Sequence, residues 1–246
     1  MTDGGTVELP AVACIEVGGG GVETVVLGGP APLVRSGARP PDGLPLLLAV
    51  PGVVVGSRVV GAANLGWYDV DPVEMLGLSR PAALICNDAE AAALGEAVLR
   101  GARGLAGLAY LGLGTGVGGA VVDAGTVVGA NLFGHHPGFG DRGCRCGANG
   151  CLETVAAGWA LPEPLDDVAL RMVAAAVARA VDAEPLASGK TLVVGGGLVR
   201  RYPRLVDLVA ATLPARAVEP SCAPADLKSA AAYGLAHAFG TADAAA

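Results

Sequence analysis

Three cysteines and two histidines lie close together in the middle of the chain and have the composition of a zinc site. The five residues are His135, His136, Cys144, Cys146 and Cys151. Three thiolates and one imidazole form a tetrahedral structural zinc site that has no open position for chemistry. The glycine-rich segment around them, 134–153, has little to bury, so we expect a metal to order it. The alternative is three buried or redox-active cysteines.

An acidic residue stands where an apolar segment ends and a helical one begins. Asn87 closes the strand-like run PAALICN (81–87), and Asp88 opens the helical run 88–101. One interpretation is that Asp88 caps this helix, which is a common use of aspartate. The other is that its carboxylate acts as a general base and takes a proton from a substrate hydroxyl.

Two glycine-rich turns follow strand-like segments and could contact a nucleotide. The run LGLGTGVGGAVV (111–122) predicts two strands joined by a turn whose N–H groups and hydroxyl could bind an anion such as phosphate. The residues of that turn are Gly114, Thr115 and Gly116. A second turn, Gly195, Gly196 and Gly197, would allow a flat ligand such as adenosine to approach closely. A plain hairpin or turn explains either run as well.

The elements that position these residues alternate between strands and helices, which indicates an α/β protein. The predicted strand regions are a hairpin over 11–28, then 46–56, 81–87, 107–122 and 191–197; the predicted helices are 88–101, 166–183 and 224–239. The Pro- and Gly-rich stretch 29–45 predicts a loop or linker. Ligands of open α/β sheets bind at the carboxyl ends of strands, where the glycine turns lie.

Composition excludes several classes of protein. The 246 residues suffice for one large or two small domains, and 52% of them are hydrophobic, with only 16% charged. A net charge of −7 argues against a protein that coats nucleic acid. No apolar stretch approaches the ~20 residues of a membrane span. No export signal is visible at the N-terminus, so we expect a cytoplasmic protein whose cysteines are metal ligands or buried thiols.

Taken together, the motifs resemble those of the ROK family of sugar kinases, named for repressors, open reading frames and kinases. The family's zinc signature appears as GH at 134–135 and CRCGANGCLE at 144–153. Its other segments appear as PG at 51–52, NLGW at 64–67, ND at 87–88 with GE at 95–96, and GTGVGG at 114–119. The order of these motifs matches from residue 11 to about residue 239.

The resemblance implies an actin-like (ribonuclease H-like) kinase fold, in which two α/β domains flank a cleft. We expect a shortened N-terminal domain over 1–87 and a C-terminal domain over 88–246, which carries the zinc-binding loop 134–153. ATP and Mg²⁺ would bind in the cleft, and a structural Zn²⁺ in the loop. The protein would assemble as a homo-oligomer, a dimer or a tetramer, and would bind neither nucleic acid nor membrane.

The resemblance also implies a role for each matching residue. Asp88 would be the general base. The sugar hydroxyls would be held by Asn64, Asn87, His135 and Glu153. The zinc ligands would be His135, Cys144, Cys146 and Cys151, with His135 favoured over His136. The nucleotide would contact Glu16, Gly18, Gly19, Gly114, Thr115, Gly116, Gly195, Gly196 and Gly197.

This sequence departs from the family pattern in three places. The first phosphate turn, usually D-x-G-G-T, is EVGGG at 16–20, so the acid is one methylene longer and the threonine is lost. Leu132 stands where the family usually has a sugar-facing Glu, with Asn131 beside it. The chain is also shorter, near 29–45 and between Glu153 and Leu192.

Three functional hypotheses follow from these observations. The first is an ATP-dependent kinase acting on a sugar, an amino sugar or a sugar-like cyclitol. The second is a degenerate member of the family that binds or senses a sugar without kinase activity. The third, a repressor, needs a DNA-binding domain ahead of the first phosphate strand, for which we expect no room; the acidic charge agrees.

Overall fold

The structure is a computed structural model that describes residues 8–29, 32–36 and 39–243. Within those ranges the first half of the chain forms seven strands: β1 (Val12–Gly18), β2 (Gly21–Leu27), β3 (Leu33–Ser36), β4 (Leu46–Val50), β5 (Val53–Val55), β6 (Arg58–Gly61) and β7 (Leu84–Asn87). The second half forms five more: β8 (Gly107–Leu113), β9 (Val117–Asp123), β10 (Thr126–Gly129), β11 (Thr191–Gly195) and β12 (Val218–Pro220).

The two large sheets of these strands repeat one topology. The first has the order β3-β2-β1-β4-β7 and the second the order β10-β9-β8-β11-β12. In both, the first three strands of the half form an antiparallel meander, and the last two join in parallel. The amino-acid sequence shows no obvious repeat at a period of about 20–50 residues, so the duplication is visible only as topology. Strands β5 and β6 pair separately as a small hairpin.

Eight α-helices and one 3₁₀ turn complete the described part of the chain. They are α1 (Pro72–Met75), α2 (Asp88–Leu99), α3 (Gly101–Ala106), α4 (Glu153–Ala156), α5 (Asp167–Asp182), the 3₁₀ turn Pro185–Ala187, α6 (Gly197–Arg201), α7 (Arg204–Thr212) and α8 (Ala231–Asp243). Helices α5 and α7 cover the outer face of the second sheet. None of the helices described here has the length and apolar character needed to cross a bilayer.

Helices α2 and α8 pack against each other between the two sheets and hold them together. Side chains of β1, β4, β8, β9 and both helices share one buried apolar cluster. The helix backbones approach closely at two glycines: a Cβ on Gly95 would lie 2.7 Å from the carbonyl carbon of Ala230, and a Cβ on Gly234 would lie 2.7 Å from the nitrogen of Gly95. Any larger residue at these two positions would push the helices, and with them the sheets, apart.

Most of the predicted elements are confirmed, and two are wrong in their bounds. The 11–28 hairpin, the helix over 88–101 and the helix over 166–183 are present, the last capped by Asp166. The stretch 29–45 contains the edge strand β3, although its residues 30, 31, 37 and 38 lie outside the described part. The last helix begins at Ala231 rather than at residue 224. The division into domains at 87/88 stays a prediction.

Candidate active site

The carboxyl ends of both sheets face a cleft of ≈ 410 Å³. All but one of the residues predicted to act on the substrate or nucleotide line it: Glu16, Gly18, Gly19, Asn64, Asn87, Asp88, Gly114, Thr115, Gly116, His135, Glu153, Gly196 and Gly197. The exception is Gly195, the last residue of β11, which does not line the cleft; a Cβ there would lie 3.1 Å from the ring of Tyr110. Residues far apart in sequence are therefore gathered at one place by the two sheets.

Asn87 is the cap of helix α2, so Asp88 is not needed for that role. The side-chain oxygen of Asn87 accepts hydrogen bonds from the backbone N–H groups of Ala89 and Glu90, at 2.9 and 3.1 Å. Its amide donates to the carbonyl oxygen of Gly52 at 2.7 Å. This network anchors the strand–helix junction to the Pro51-Gly52 turn and leaves Asp88 as the first helical residue.

The Asp88 carboxylate is partly buried at the cleft and is poised to exchange a proton near neutral pH. Burial raises its pKa from 3.8 to about 6, against the lowering effect of the hydrogen bonds from its own N–H and that of Ala89. The Ala89 bond measures 2.9 Å. A general base works best when its pKa lies near the operating pH, and Asp88 meets that condition.

The glycine turn of the first sheet and the glycine turn of the second sheet lie in contact at the cleft. A Cβ on Gly19, in the turn between β1 and β2, would lie 2.6 Å from the Cβ of Thr115. Thr115 belongs to the turn between β8 and β9, in which the N–H of Gly114 donates to the carbonyl of Gly116 at 2.9 Å. The missing side chain at Gly19 thus lets turns from the two sheets meet and form a continuous backbone surface.

The Glu16 carboxylate is turned away from the glycine turns toward helix α8. One oxygen accepts from the hydroxyl of Ser229 at 2.8 Å, and the other accepts from the N–H of Ala232 at 3.0 Å. Burial raises the Glu16 pKa to about 7; these hydrogen bonds lower it, and the charges of Glu23 and Asp88 raise it further. Both oxygens therefore have protein donors, so the acid serves to attach the start of α8 to β1.

Glu153 links the zinc-type loop to the second glycine turn. Its buried carboxylate accepts from the N–H of Val117 at 2.8 Å. A Cβ on Gly116 would lie 2.6 Å from Glu153 Oε1 and 2.7 Å from Asn64 Nδ2. Gly116 therefore lets the carboxylate and the amide come together at one wall of the cleft, as a pair able to accept from and donate to ligand hydroxyls.

The predicted metal ligands form a compact cluster. The nearest donor atoms of His135, Cys144, Cys146 and Cys151 all lie within 4.8 Å of one another. Cys146 Sγ is 3.7 Å from Cys151 Sγ, and Cys144 Sγ is 3.7 Å from His135 Nδ1. A tetrahedral zinc with Zn–S bonds of ≈ 2.3 Å has S···S edges of about 3.8 Å. The donor types and spacing are thus compatible with a structural zinc, and the distances are too long for disulfides.

The structure separates the two neighbouring histidines. His135 directs Nδ1 at the cluster and lines the cleft, whereas His136 Nε2 lies 3.8 Å from Glu184. Arg145, between the cysteines, stacks over the ring of Trp159 and donates to Asn64 Oδ1 at 3.2 Å. The loop that holds the metal cluster is thereby tied across the cleft to the segment that carries Asn64.

Leu132 lies on the cleft wall but packs toward the apolar core. It contacts the core cluster of the second sheet, and its Cδ1 would lie 2.9 Å from a Cβ on Gly129. Its neighbours Asn131 and Phe133 adopt positive φ angles of 53° and 70°. Such a conformation is costly for a residue as large as Phe133, so the surrounding packing must hold this stretch in place.

Sequence reasoning missed three polar residues that also line the cleft: Arg200, Lys228 and Ser229. Arg200 lies in the last turn of the short helix that begins at Gly197, and Lys228 and Ser229 lie in a segment that carries no motif. One weak signal was available for Lys228, since the chain has only two lysines, Lys190 and Lys228, against fourteen arginines.

Comparison with known proteins gives consistent results. The model of the ROK family matches residues 42–188, more than half of the chain. A glucokinase of Halalkalibacterium halodurans is 37% identical over 103 residues, 39% of this chain and 31% of the relative. The N-acetylgalactosamine kinase of Shewanella sp. strain ANA-3 is 33% identical over 138 residues, 50% of this chain and 45% of the relative. The alignments thus span a third to a half of these curated relatives.

A solved structure supports the fold over nearly the whole chain. The ROK family glucokinase from Streptomyces griseus, determined with glucose and AMPPNP, superposes with a TM-score of 0.73 at 18% identity. The match covers 94% of this chain and 99% of that one. The fold is therefore the actin-like kinase fold, with two α/β halves around a cleft, as the sequence predicted.

Proposed function

Because the chain belongs to the ROK family, we propose that it is a kinase that transfers the γ-phosphoryl group of ATP to a hydroxyl of a sugar, an amino sugar or a sugar-like cyclitol. The observation that carries this proposal is the position of Asp88. Its carboxylate has a pKa raised to about 6 and lines a cleft that also contains both glycine turns and the loop with His135.

Asp88 is the base in this proposal. The acceptor oxygen attacks the γ-phosphorus, a new P–O bond forms as the bond to the leaving ADP oxygen breaks, and the hydroxyl proton passes to the Asp88 carboxylate. Phosphoryl transfer depends mainly on positioning and charge stabilisation. The N–H groups that would hold the phosphates belong to the turns at Gly18–Gly19 and Thr115–Gly116, since the N–H of Gly114 already donates to Gly116.

The acceptor would be held by polar groups that lie next to the second glycine turn. Glu153, Asn64 and the outer nitrogen of His135 are the candidates, since they line the cleft beside Gly116. Side chains that pair with hydroxyls discriminate strongly, because a missing hydroxyl leaves a buried polar group unsatisfied. Asn87 would act indirectly, since its oxygen and one amide hydrogen are used by the helix cap and Gly52.

We assign His135, Cys144, Cys146 and Cys151 to a structural Zn²⁺, which when bound supplies folding energy to the loop and orients His135. Mg²⁺ in such reactions is carried largely by the substrate phosphates, where it neutralises charge. Each oxygen of the Glu16 carboxylate already accepts one hydrogen bond, from Ser229 or from Ala232, so Mg²⁺ at this residue would share the carboxylate with these donors.

Leu132 narrows the class of acceptor. An apolar side chain cannot accept a hydrogen bond from a ring hydroxyl, so the acceptor should lack a hydroxyl there or carry a less polar group, as a cyclitol or amino sugar can. Leu132→Glu should shift preference toward ordinary hexoses. If wild type and variant rank hexoses, amino sugars and cyclitols in the same order of kcat/KM, Leu132 does not select the acceptor.

A degenerate binding protein is the second candidate, favoured by one specific observation. The first phosphate turn has glycine at position 20 in place of a hydroxyl, and its acid is engaged by α8. Calorimetry separates the two: sugar binding without nucleotide binding supports the degenerate protein, whereas a phosphorylated product excludes it.

The deciding experiment is a phosphorylation assay over hexoses, amino sugars and cyclitols, read by mass spectrometry. The kinase proposal expects a product 80 Da heavier for at least one acceptor, formed about 10²- to 10⁴-fold more slowly by Asp88→Asn at matched protein concentration. No product from the wild-type protein with any acceptor would overturn it. A dimeric or tetrameric state and a cytoplasmic location stay predictions; gel filtration with light scattering tests the first.

A further inference from the structure

One basic residue of the cleft belongs to no motif of the family and lies beside the altered phosphate turn. Lys228 lines the cleft together with Gly18–Gly21 and Ser229. Arg200 lines it too, and its Nη1 donates to the carbonyl of Leu227, the residue before Lys228, at 2.9 Å. Among the described residues, these are the only lysine and arginine that line the main cleft; Arg200 lies in the last turn of helix α6, and its hydrogen bond to Leu227 joins α6 to the segment that carries Lys228.

Lys228 is held in this position by groups of the first hairpin. Its Nζ lies 3.6 Å from Oε1 of Glu23, a residue of β2 that is 5% exposed, while the Lys228 side chain is 42% exposed. Glu23 stands opposite Glu16 in the β1–β2 pair, and Glu16 binds the next residue of the segment, Ser229. The two acids thus attach residues 228–232 to the hairpin.

The ion pair leaves the ammonium group only partly compensated. At 3.6 Å the contact with Glu23 is longer than a hydrogen bond, and the Lys228 side chain, which lines the cleft, is 42% exposed. The second oxygen of Glu23 is buried and has no hydrogen-bond partner among the described residues.

The first turn lacks groups that the family's phosphate site usually has. Gly20 offers no hydroxyl, and the Glu16 carboxylate points to α8. A phosphate chain in this cleft would still meet backbone N–H groups, but it would also lie near Asp88 and Glu16, which repel it. A lysine is a mobile cation with three donors that binds phosphate well.

We propose that Lys228 is a phosphate-binding residue of the donor subsite, which supplies the positive charge that the altered first turn lacks. This assignment rests on the proposed kinase function and adds one phosphate-binding residue that belongs to none of the family motifs. Its ligand is the polyphosphate of a nucleoside di- or triphosphate, and Lys228 positions that group without taking part in proton transfer.

Equilibrium binding by calorimetry tests this assignment through the number of phosphates on the probe. The probes are AMPPNP, ADP, adenosine and inorganic tripolyphosphate. Lys228→Met should weaken AMPPNP, ADP and tripolyphosphate by about tenfold, as expected for one charge-assisted hydrogen bond at a half-exposed site. Adenosine affinity should not change, and Lys228→Arg should keep most of the wild-type affinity.

Lys190→Met is the matched control, since Lys190 pairs with Asp123 at 3.1 Å and does not line the cleft. It should leave every affinity unchanged. If Lys228→Met melts much lower than the wild type, Lys228→Gln replaces it. Equal affinities of wild type and variant, or a loss that includes adenosine, would overturn the assignment.

The same data separate this inference from the proposed function. If the wild type and Lys228→Met bind AMPPNP equally well, the inference about Lys228 is overturned and the kinase proposal stands. Wild-type protein that binds tripolyphosphate through Lys228 but neither AMPPNP nor ADP supports the anion subsite and removes the ATP-dependent kinase. Wild-type protein that binds none of the probes overturns both.

Discussion

Asp88→Asn is the substitution that separates catalysis from helix capping most sharply. Asparagine keeps the shape of the side chain and an oxygen that can accept from the N–H of Ala89, which the carboxylate now does at 2.9 Å. It removes only the negative charge and the ability to take a proton. The general-base role therefore predicts a fall in kcat of about 10²- to 10⁴-fold with little change in acceptor KM.

The same change should stabilise the protein. Burial raises the Asp88 pKa from 3.8 to about 6, so the folded state holds this proton more tightly than the unfolded state does. Wild-type stability then falls as pH rises from about 4 to 6, and above pH 6 the ionised group costs at most about 3 kcal/mol. Asparagine pays no such cost, so the variant should gain up to that amount at pH 7.5 and nothing below pH 4.

Two measurements check this reasoning. Thermal melts of wild type and variant at pH 5 and 7.5 should diverge at the higher pH, and wild-type kcat/KM should fall tenfold per pH unit below about 6. Asn87→Ala is the control for capping and should lose about 1 kcal/mol or more. An Asp88→Asn protein that is less stable at pH 7.5 and still turns over acceptor at the wild-type rate would refute the assignment of Asp88 as base.

Two further predictions concern the turns and the metal cluster. Gly19→Ala should weaken AMPPNP binding about tenfold and lower stability by about 1–3 kcal/mol, because its Cβ would overlap Thr115. The control is Gly20→Ala, whose Cβ has nothing within 4 Å and which should change stability by less than about 0.5 kcal/mol. Calorimetry measures the affinities of both variants, and thermal melts measure their stabilities. Cys146→Ser should lose bound zinc and about 4 kcal/mol or more of stability. The control is Cys222→Ser, which should keep one zinc per chain when the zinc content is measured by elemental analysis. Equal zinc contents in both variants would exclude Cys146 as a ligand.

The parts of the site that could be predicted from sequence are those made by residues close together in the chain. The cysteines and His135 lie within one short loop, so their spacing almost determines that they meet. Asn87 and Asp88 occupy consecutive positions at a strand–helix junction, and the apolar run before them predicts that junction. What the local sequence left open was whether Asp88 caps the helix or acts as a base, and the hydrogen bonds show that the cap is Asn87.

Other features were out of reach because their partners are distant in sequence. The edge strand β3 was missed because a Pro- and Gly-rich segment carries little strand signal; β3 forms because β2 offers it a free edge. The late start of α8 at Ala231 places Ser229 and Lys228 in the preceding turn, where they can reach Glu16 and Glu23.

The amino-acid sequence by itself determined the α/β class, the family motifs and the set of candidate metal ligands, since each depends on patterns within a few residues. Only the tertiary structure decided where the side chains are directed: Glu16 toward Ala232, 216 positions away, Gly19 against Thr115, and Lys228 into the cleft. The physical reason is that these contacts require two sheets to be packed on α2 and α8 at a particular distance. That distance is set by the summed volumes of many buried side chains, with glycines at the closest approaches, and no single segment of the chain contains it.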